Sequence, residues 1–409
     1  MVEQVKVIIG AGYGDEGKGV MTDYFAYNYP QPIVVRFNGG AQAGHTVVTP
    51  KGIRHVFHHF GAGTLAGAPT YLSQFFIVNP ILFMREHKLL ETNPVVYIHE
   101  DCLLTTPYDM MLNEMAEEAH GEQKHGSCGC GINETIVRNN EPEFGLTVGD
   151  LIDVDLIKEL NSIREIYVYE RANRLGFKKI PSKFLVLFED QGIMLRYLKD
   201  IQCMLNCMHE DGGITTTEYM KTRVKGFQTV LFEGAQGLML DKSHKNFPFV
   251  TPSNTGIKNV CNLYDALDLK NSVNITYVTR TYLTRHGAGP LPSEVLDKPY
   301  PNIIDETNIK NMFQGALRFG LLDVDVLHDT IHNDLTHIAH IPHTVNMAVT
   351  CLDQVEDLLR IVGNGKEFKI TIDEFIDKIL DFDEIQDCYL VSGPSRTNVF
   401  TPVEIGFDS

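Results

Sequence analysis

The feature that most constrains this 409-residue chain is a glycine-rich loop near its N-terminus. A mostly β-branched run, Val5–Ile9, precedes Gly10-Ala11-Gly12-Tyr13-Gly14-Asp15-Glu16-Gly17-Lys18-Gly19. The run is typical of a buried strand. The spacing Gly-x4-Gly-Lys is that of a phosphate-binding loop, in which backbone N–H groups and a lysine surround phosphate oxygens. Gly19 stands where such loops carry Ser or Thr, so a Mg²⁺ ligand must come from elsewhere. The acids Asp15 and Glu16 in this loop indicate metal binding or proton removal.

Strand-like and helix-like runs alternate along the chain, which predicts an α/β fold: a mostly parallel central sheet with helices on both faces. Ligands of such sheets bind at the carboxyl ends of the strands, where the glycine-rich loops fall. We expect one elaborated domain over residues 1–409, with a peripheral insertion at about 360–387. The predicted helices include Met110–Ala119 and Ile193–Met208. The predicted strands are Val5–Ile9, Ile33–Val35, Phe75–Val78, Val95–Ile98, Thr229–Phe232, Asn274–Thr279, Thr336–Ile341, Met347–Cys351 and Cys388–Val391.

Composition excludes some classes of function. The net charge of −18 argues against a nucleic-acid-binding surface, which needs basic patches. The chain has no apolar run as long as a membrane span and no signal-peptide pattern. We therefore expect a soluble, cytoplasmic protein (in the host cytoplasm if a phage encodes it) that does not bind membranes. The eight scattered cysteines are expected to be free thiols.

A second glycine-rich segment, Arg36–Val48, again follows a predicted strand and contains Ala43-Gly44-His45-Thr46-Val47-Val48. Together with Gly14–Gly19, it resembles the adenylosuccinate synthetase family. Further blocks continue the resemblance in family order: Phe232–Gly237, Phe249–Asn254, Thr284–Pro290, Thr350–Asp353 and Gly393–Thr397. That family joins L-aspartate to C6 of a purine nucleotide while consuming GTP. The resemblance implies the family's fold with its phosphate-loop-like nucleotide site, Mg²⁺, small-molecule substrates and a homodimer.

The resemblance also implies roles for single residues. Asp15 matches the family's base and metal ligand, His45 the histidine that assists at the transferred phosphoryl group, and Gly44 a carbonyl ligand of the metal. The expected GTP-binding residues are Gly14, Glu16, Gly17, Lys18, Gly19, Gly44, Thr46, Arg318, Leu352, Asp353, Ser392 and Gly393. The expected purine monophosphate-binding residues are Asp15, Gln42, Ala43, Ser127, Cys128, Arg138, Gln236, Thr251 and Ala316. The expected aspartate-binding residues are Gln314, Gly315 and Arg318. Arg138 is expected to reach the 5′-phosphate across the dimer interface.

The chain departs from the ordinary family pattern around the acceptor nucleotide. Ala316 stands where the family has an arginine that reaches the ribose, Gln42 replaces an asparagine, and Gly131–Thr135 differs from the usual Gly-Ile-Gly-Pro-Ala. These changes resemble the phage branch of the family, which uses dGMP and makes 2-amino-2′-deoxyadenylosuccinate. The chain nevertheless keeps Asp15, which phage members often replace by Ser, and keeps Asp353, whose carboxylate matches the guanine-reading acid of the family.

Three interpretations therefore remain. The first is a ligase whose preferred acceptor is dGMP. The second is ordinary adenylosuccinate synthesis from IMP. The third, from another class, is a GTP-binding switch protein. Asp15, His45 and the amino-acid loop argue against a pure switch, which would need neither aspartate nor a purine monophosphate.

Overall fold

The computed structural model describes residues 1–120, 129–208, 212–304 and 316–402. The strands in chain order are β1 (Gln4–Gly10), β2 (Pro32–Arg36), β3 (His45–Val48), β4 (Arg54–Phe57), β5 (Thr70–Leu72), β6 (Ile77–Val78), β7 (Val96–His99), β8 (Leu103–Leu104), β9 (Gly213–Thr215), β10 (Thr229–Gly237), β11 (Val273–Arg280), β12 (Tyr282–Arg285), β13 (Glu294–Val295), β14 (Arg318–Asp323), β15 (His343–Thr350), β16 (Leu359–Gly363), β17 (Lys366–Ile370), β18 (Ile385–Val391) and β19 (Val399–Phe400). The α-helices are α1 (Lys18–Asn28), α2 (Pro80–His87), α3 (Pro107–His120), α4 (Ile132–Asn139), α5 (Asp150–Asp153), α6 (Leu156–Ser162), α7 (Val168–Arg174), α8 (Ser182–Glu189), α9 (Gln191–Cys207), α10 (Thr217–Arg223), α11 (Lys258–Ala266), α12 (Val324–Leu335) and α13 (Ile372–Leu380).

One large sheet organises the molecule. Within the described ranges its strand order is β19-β18-β15-β11-β1-β10-β2-β5-β7-β9. Every neighbouring pair is parallel except β18 and β19. A smaller sheet has the order β12-β14-β16-β17, with β13 paired to β14. The predicted fold class is therefore confirmed.

The centre of the large sheet is apolar on both faces because helices cover both. In β1, Val7 and Ile9 pack into one hydrophobic cluster, whereas Ile8 packs into another together with Phe25 of α1. Alternate side chains of a strand point to opposite faces, so a strand covered on both sides must be apolar throughout. This explains the succession of β-branched residues Val7–Ile9, which follows the single polar residue Lys6.

The carboxyl ends of the central strands lie along one edge of this sheet. There β1, β2, β10, β11 and β15 end at Gly10, Arg36, Gly237, Arg280 and Thr350. Loops that are far apart in the sequence therefore meet at this edge, as expected for a parallel sheet.

Two strand predictions need correction. The run 336–341 is not a strand, because it directly follows α12 and continues in tight turns, with Ile338 N–H bonded to Leu335 and Ile341 N–H bonded to Ile338. Ile338 and Ile341 are three residues apart, so these turns place them on the same side. Both are therefore buried although the backbone is not extended. In the predicted strand Phe75–Val78, only Ile77–Val78 is extended. The turn before it, closed by Phe76 N–H on the Ser73 carbonyl, follows β5, a strand that the prediction missed.

The segment 360–387 contains most of β16, all of β17, the predicted acidic helix α13 and the start of β18. Its inner face is part of the main core, since Ile361, Phe375 and Ile379 are at most 1% exposed and belong to the largest hydrophobic cluster. Only the outer strand β17 is largely exposed. Whether the segment is an insertion stays a prediction, but it is packed as an integral part of this fold.

The described cysteines are all free thiols. None of the helices in the described ranges combines the length and apolarity needed to cross a bilayer.

Arg138 on α4 does not reach a partner subunit, so this part of the sequence prediction is wrong. Its side chain is fully buried. The guanidinium pairs with Asp109 at 2.9 and 3.0 Å and donates to the carbonyl oxygens of Phe144 at 2.6 Å and Leu104 at 2.7 Å. Its donors are thus used inside the chain, where Arg138 fastens α4 to α3.

We expect Arg138→Leu to lower the free energy of unfolding by about 3–5 kcal/mol, because it leaves the Asp109 carboxylate buried without its cation. Urea unfolding followed by circular dichroism measures this. Arg174→Leu is the matched control: Arg174 is 43% exposed and pairs with Glu141 at the surface, so its loss should cost about 1 kcal/mol or less. Equal effects of the two substitutions would contradict the interior role.

Candidate active site

The phosphate-loop sequence forms a tight turn between β1 and α1. Gly14 and Gly17 both adopt a φ of 95°, in the left-handed region that favours glycine. The loop also packs closely on its neighbours: a β-carbon on Gly19 would lie 2.7 Å from the carbonyl oxygen of Thr46. This contact places the predicted residues Thr46 and His45, at the start of β3, directly beside the loop.

Glu16 and Lys18 lie together inside this loop. The Glu16 carboxylate accepts hydrogen bonds from the N–H groups of Gly12 at 3.1 Å and Gly14 at 2.7 Å, and it lies 2.6 Å from the Lys18 ammonium group. Both side chains are buried. Backbone N–H groups and a lysine are therefore assembled around an anion, as the loop sequence predicts. In this structure the anion is the carboxylate of Glu16.

Asp15 is held in a constrained conformation at the tip of the loop. Its φ is 61°, an uncommon value for a residue other than glycine. The Arg280 guanidinium, at the end of β11, donates to its backbone carbonyl. The carboxylate is 31% exposed, and its Oδ2 lies 3.2 Å from Nε2 of His286. Burial raises the pKa of Asp15. The contact with His286 and the charge of Arg280 lower it by more than burial raises it, so the pKa lies below its usual value. Asp15 is thus an accessible, ionised carboxylate at neutral pH.

His45 is oriented by a buried carboxylate. Its Nδ1 lies 2.7 Å from Glu233 Oε1, while Glu233 Oε2 accepts a hydrogen bond from the N–H of Ala62 at 3.1 Å and lies 3.7 Å from Arg36 Nε. Burial lowers the pKa of His45, outweighing the opposing effect of Glu233. A neutral imidazole that donates through Nδ1 keeps the lone pair of Nε2 available. In the described part of the chain, Nε2 is buried without a hydrogen-bond partner, which suits a ligand-contacting atom.

Glu233 is a residue of the candidate site that the sequence prediction did not assign. The sequence carries a sign of this, because Glu233 is a charged residue directly between the apolar run Thr229–Phe232 and the glycine-rich residues that follow. Burial of a carboxylate is costly unless it is paired. Burial raises the pKa of Glu233, but the contact with His45 and the charge of Arg36 lower it by more, so the pKa lies below its usual value.

Three of the residues predicted to hold the purine nucleotide, Gln42, Ala43 and Gln236, lie in or beside the glycine-rich loops. Gln236 has a φ of 63°, and a β-carbon on Gly14 would lie 3.6 Å from its Oε1 atom. The amide nitrogen and oxygen of Gln42 are both buried and have no hydrogen-bond partner among the described residues. Ala43, next to it, is buried. An unpaired buried amide is costly, so it marks a position that a polar ligand would satisfy.

Thr251 lies in a segment that Arg285 connects to the phosphate loop. Its N–H bonds to the Leu240 carbonyl at 2.8 Å. Two residues earlier, the carbonyl of Phe249 accepts a hydrogen bond from Arg285 at 2.8 Å, and the guanidinium of Arg285 stacks 4.6 Å from the ring centroid of Tyr13 in the phosphate loop. These contacts connect the segment of Thr251 to the loop.

Arg318, at the start of β14, is saturated by groups of the chain itself. It forms a bidentate pair with Glu294 at 2.7 and 2.5 Å, and its Nη1 donates to the carbonyls of Gly287 at 3.0 Å and Gly289 at 2.8 Å. Ala316, two residues before it, is exposed. A substrate carboxylate that binds Arg318 must therefore compete with Glu294.

The predicted guanine-reading turn follows β15. Cys351 has a φ of 64°, and Leu352–Gln354 forms a short 3₁₀ turn in which Asp353 is exposed. Gln354 accepts a hydrogen bond from the hydroxyl of Tyr282 at 2.6 Å, and that hydroxyl also accepts from Arg280 at 3.3 Å. Arg280 thus connects this turn to Asp15.

Two of the predicted GTP-binding residues, Ser392 and Gly393, lie at the end of the neighbouring strand of the large sheet. Ser392 and Gly393 directly follow β18, which neighbours β15 in the sheet. The N–H of Ser392 bonds to the carbonyl of Asn398 at 3.0 Å. The predicted residues Ser127, Cys128, Gln314 and Gly315 lie outside the described residues.

Comparison with known proteins identifies the family. A sequence profile described as adenylosuccinate synthetase matches residues 7–386. The chain is 31% identical over 304 residues to the adenylosuccinate synthetase of Chlorobium chlorochromatii; this match covers 71% of the chain and 65% of the length of that relative.

Two solved structures share the fold. A fully ligated adenylosuccinate synthetase from Plasmodium falciparum has a TM-score of 0.73 at 19% identity, over 97% of this chain and 99% of its own. The cyanophage S-2L succinoaminodeoxyadenylate synthetase, bound to dGMP and to dATP as an energy donor, has a TM-score of 0.62 at 16% identity, over 98% of this chain and 96% of its own. The matched profile spans well over half of the chain, which therefore belongs to the adenylosuccinate synthetase family.

Proposed function

We propose that this chain is a GTP-dependent ligase that joins L-aspartate to C6 of a purine nucleoside monophosphate through a 6-phosphoryl intermediate. The observation that carries the proposal is the meeting of the phosphate loop, the accessible carboxylate of Asp15 and the His45–Glu233 pair at one edge of the sheet. The purine 6-oxygen is a poor leaving group until it is phosphorylated, and it becomes nucleophilic only when N1–H is deprotonated. The reaction therefore needs a base, a phosphate-binding loop and a group that assists the transferred phosphoryl group.

We assign the base to Asp15 and the assisting group to His45. Asp15 is ionised at neutral pH, and a carboxylate can accept the N1 proton. His45 is held by Glu233 with Nε2 directed away from the pair. Negative charge on a bound phosphoryl group would favour protonation of the ring, and the Nε2–H of the imidazolium, balanced by Glu233, would then donate to the phosphoryl oxygens or to O6. Lys18 and the loop N–H groups would hold the phosphates of the donor once Glu16 releases them.

The residues present also fit Mg²⁺. The carboxylate of Asp15 and the carbonyl of Gly44 are hard oxygen ligands, and Mg²⁺ in nucleotide sites takes one or two carboxylates together with phosphate oxygens and waters. When bound, the ion would neutralise charge on the phosphates.

For the acceptor we place dGMP ahead of IMP. Ala316 offers no charged group to a ribose 2′-hydroxyl, so a ribonucleotide gains little over a deoxynucleotide there. The buried amide of Gln42 supplies both an acceptor and a donor, and a 2-aminopurine edge matches it better than hypoxanthine does. The cyanophage enzyme of the same fold is bound to dGMP. IMP is the alternative, because relatives such as the Chlorobium chlorochromatii protein carry the name of the ordinary synthetase.

The first prediction concerns the base. We expect Asp15→Asn to lower kcat by about a hundredfold or more, because it removes both the proton acceptor and a metal ligand. The measurement is formation of the aspartate adduct from GTP, Mg²⁺, aspartate and purine monophosphate. Asp377→Asn, at an exposed position of α13, is the matched control and should retain wild-type activity. Near-normal turnover of Asp15→Asn would remove Asp15 from the mechanism.

The second prediction concerns the donor. We expect GTP to be used in preference to ATP, because the Asp353 carboxylate can accept hydrogen bonds from N1–H and N2–H of guanine. Asp353→Asn should weaken GTP binding by about 10- to 100-fold, since a hydrogen bond to a charged group contributes about 1.5–3 kcal/mol. Asp357→Asn, which alters an exposed acid four residues later, is the control. Wild-type protein that uses ATP and GTP equally well would show that Asp353 does not select the base.

The third prediction concerns the acceptor. Offering dGMP, GMP, dIMP and IMP separates the effect of the sugar from that of the base, with kcat/KM and product mass as readouts. We expect dGMP to have the highest kcat/KM. Ala316→Arg should raise the ratio of GMP to dGMP turnover by about tenfold, because it restores a charge-assisted bond to the 2′-hydroxyl. Leu317→Arg, which adds the same charge one residue later, is the control. A clear preference for IMP would return the protein to ordinary adenylosuccinate synthesis.

A further inference from the structure

We propose that His286 is a positioning residue for Asp15: its imidazole engages one carboxylate oxygen and thereby fixes the orientation in which the other oxygen meets the substrate. This inference rests on the proposed role of Asp15 as the base. It is carried by the 3.2 Å separation between Nε2 of His286 and Oδ2 of Asp15, two side chains that belong to segments 271 residues apart in the sequence. The contact engages Oδ2, so we assign Oδ1 to the substrate.

The segment that carries His286 is fixed from two sides. Arg318 donates to the carbonyls of Gly287 and Gly289, and Arg285 donates to the carbonyl of Pro290 at 2.7 Å. The turn itself needs glycine, since Gly287 and Gly289 have φ values of 69° and 105°. A β-carbon on Gly289 would lie 2.4 Å from Nη2 of Arg285. The backbone beside the imidazole is therefore tightly constrained, as a positioning group requires.

Asp15 is fixed from the other side. Arg280 holds its backbone carbonyl, and its neighbour Glu16 is fastened by the N–H groups of Gly12 and Gly14. Thr350 adds a hydrogen bond to the carbonyl of Glu16 at 2.8 Å. The backbone at Asp15 is thus held in place, which leaves rotation of its side chain as the main freedom. The contact with His286 restricts that rotation.

Arg318 gives this arrangement a link to the predicted aspartate site. The same guanidinium that holds Gly287 and Gly289 is paired with Glu294 and is the group expected to meet substrate aspartate. Replacing Glu294 by a substrate carboxylate would keep Arg318 neutralised and leave its two carbonyl contacts in place. His286 would then stay beside Asp15 throughout turnover.

A misplaced base costs rate more than affinity, because its geometry matters most in the transition state. We expect His286→Leu to lower kcat by about 10- to 100-fold, with the KM values of GTP and of the purine monophosphate changing by less than about threefold. His286→Gln retains an N–H donor near the same place, so it should recover most of the lost kcat. His340→Leu, at an exposed histidine, is the matched control and should behave as wild type.

The contact itself has a readout that does not depend on activity. In ligand-free protein labelled with ¹⁵N-histidine, the ring nitrogen signals of His286, assigned through His286→Gln, should shift in Asp15→Asn and stay unchanged in Asp377→Asn. Melting temperatures and circular dichroism spectra show whether each variant is folded.

The outcomes separate this inference from the proposed function. If the signals shift, and His286→Leu loses kcat that His286→Gln recovers, the positioning role holds. Unchanged ring signals in folded Asp15→Asn would overturn it, and so would wild-type kcat in His286→Leu. If the wild-type protein forms no aspartate adduct while the ring signals still shift, the proposed ligase activity fails and the role of His286 in that reaction fails with it, but the contact stands.

Discussion

The parallel pairing of β1 with β10 on one side and β11 on the other is the constraint on which the candidate site depends. The ladder sets Ile8 opposite both Glu233 and Thr276, and Gly10 opposite Val278. Because these strands end at the same edge, the phosphate loop leaves β1 between the end of β10, which carries Gln236, and the end of β11, which carries Arg280. A register shift of one residue would turn the buried side chains to the wrong face. It would also separate Asp15 from the arginine that holds its backbone.

The site satisfies its cations with its own carboxylates. Lys18 is paired with Glu16, Arg36 with Glu233, and Arg318 with Glu294, and Glu233 also accepts a hydrogen bond from the neutral His45. These pairs differ in burial. Glu233 is fully buried and fastened by several partners, whereas Glu294 is 42% exposed beside a half-buried Arg318. The Arg36–Glu233 pair acts as fixed scaffolding, since breaking it with no other anion in exchange would leave an unpaired charge in the interior. The exposed pair is weaker and can be exchanged for a ligand.

The sequence located the glycine-rich loops of the candidate site and missed parts of the scaffold, while the roles of the site residues stay predictions. Glycine loops at the ends of apolar runs carry strong local signals, and Asp15, Lys18 and His45 lie where those signals place them. The run 336–341 shows the opposite case. Its β-branched residues Thr336, Ile338 and Ile341 are typical of a strand, but the run follows α12 and continues in tight turns. Arg138 shows a third limit. An arginine on a helix looks like a surface or interface residue, and only the fold reveals Asp109 and two carbonyls around it. Glu233 lies within the block Phe232–Gly237. Its pairing with His45, which is 188 residues away in the sequence, cannot be inferred from sequence spacing.

The position of Glu16 has a consequence for nucleotide binding. The N–H groups of Gly12 and Gly14 and the ammonium of Lys18 already surround its carboxylate, and two anions cannot share the same donors at hydrogen-bond distance. A phosphate that binds to these groups must therefore displace Glu16. The contacts that Arg280 and His286 make with Asp15 use none of these donors. They can therefore hold the base in place while the Glu16 side chain rotates away from the loop.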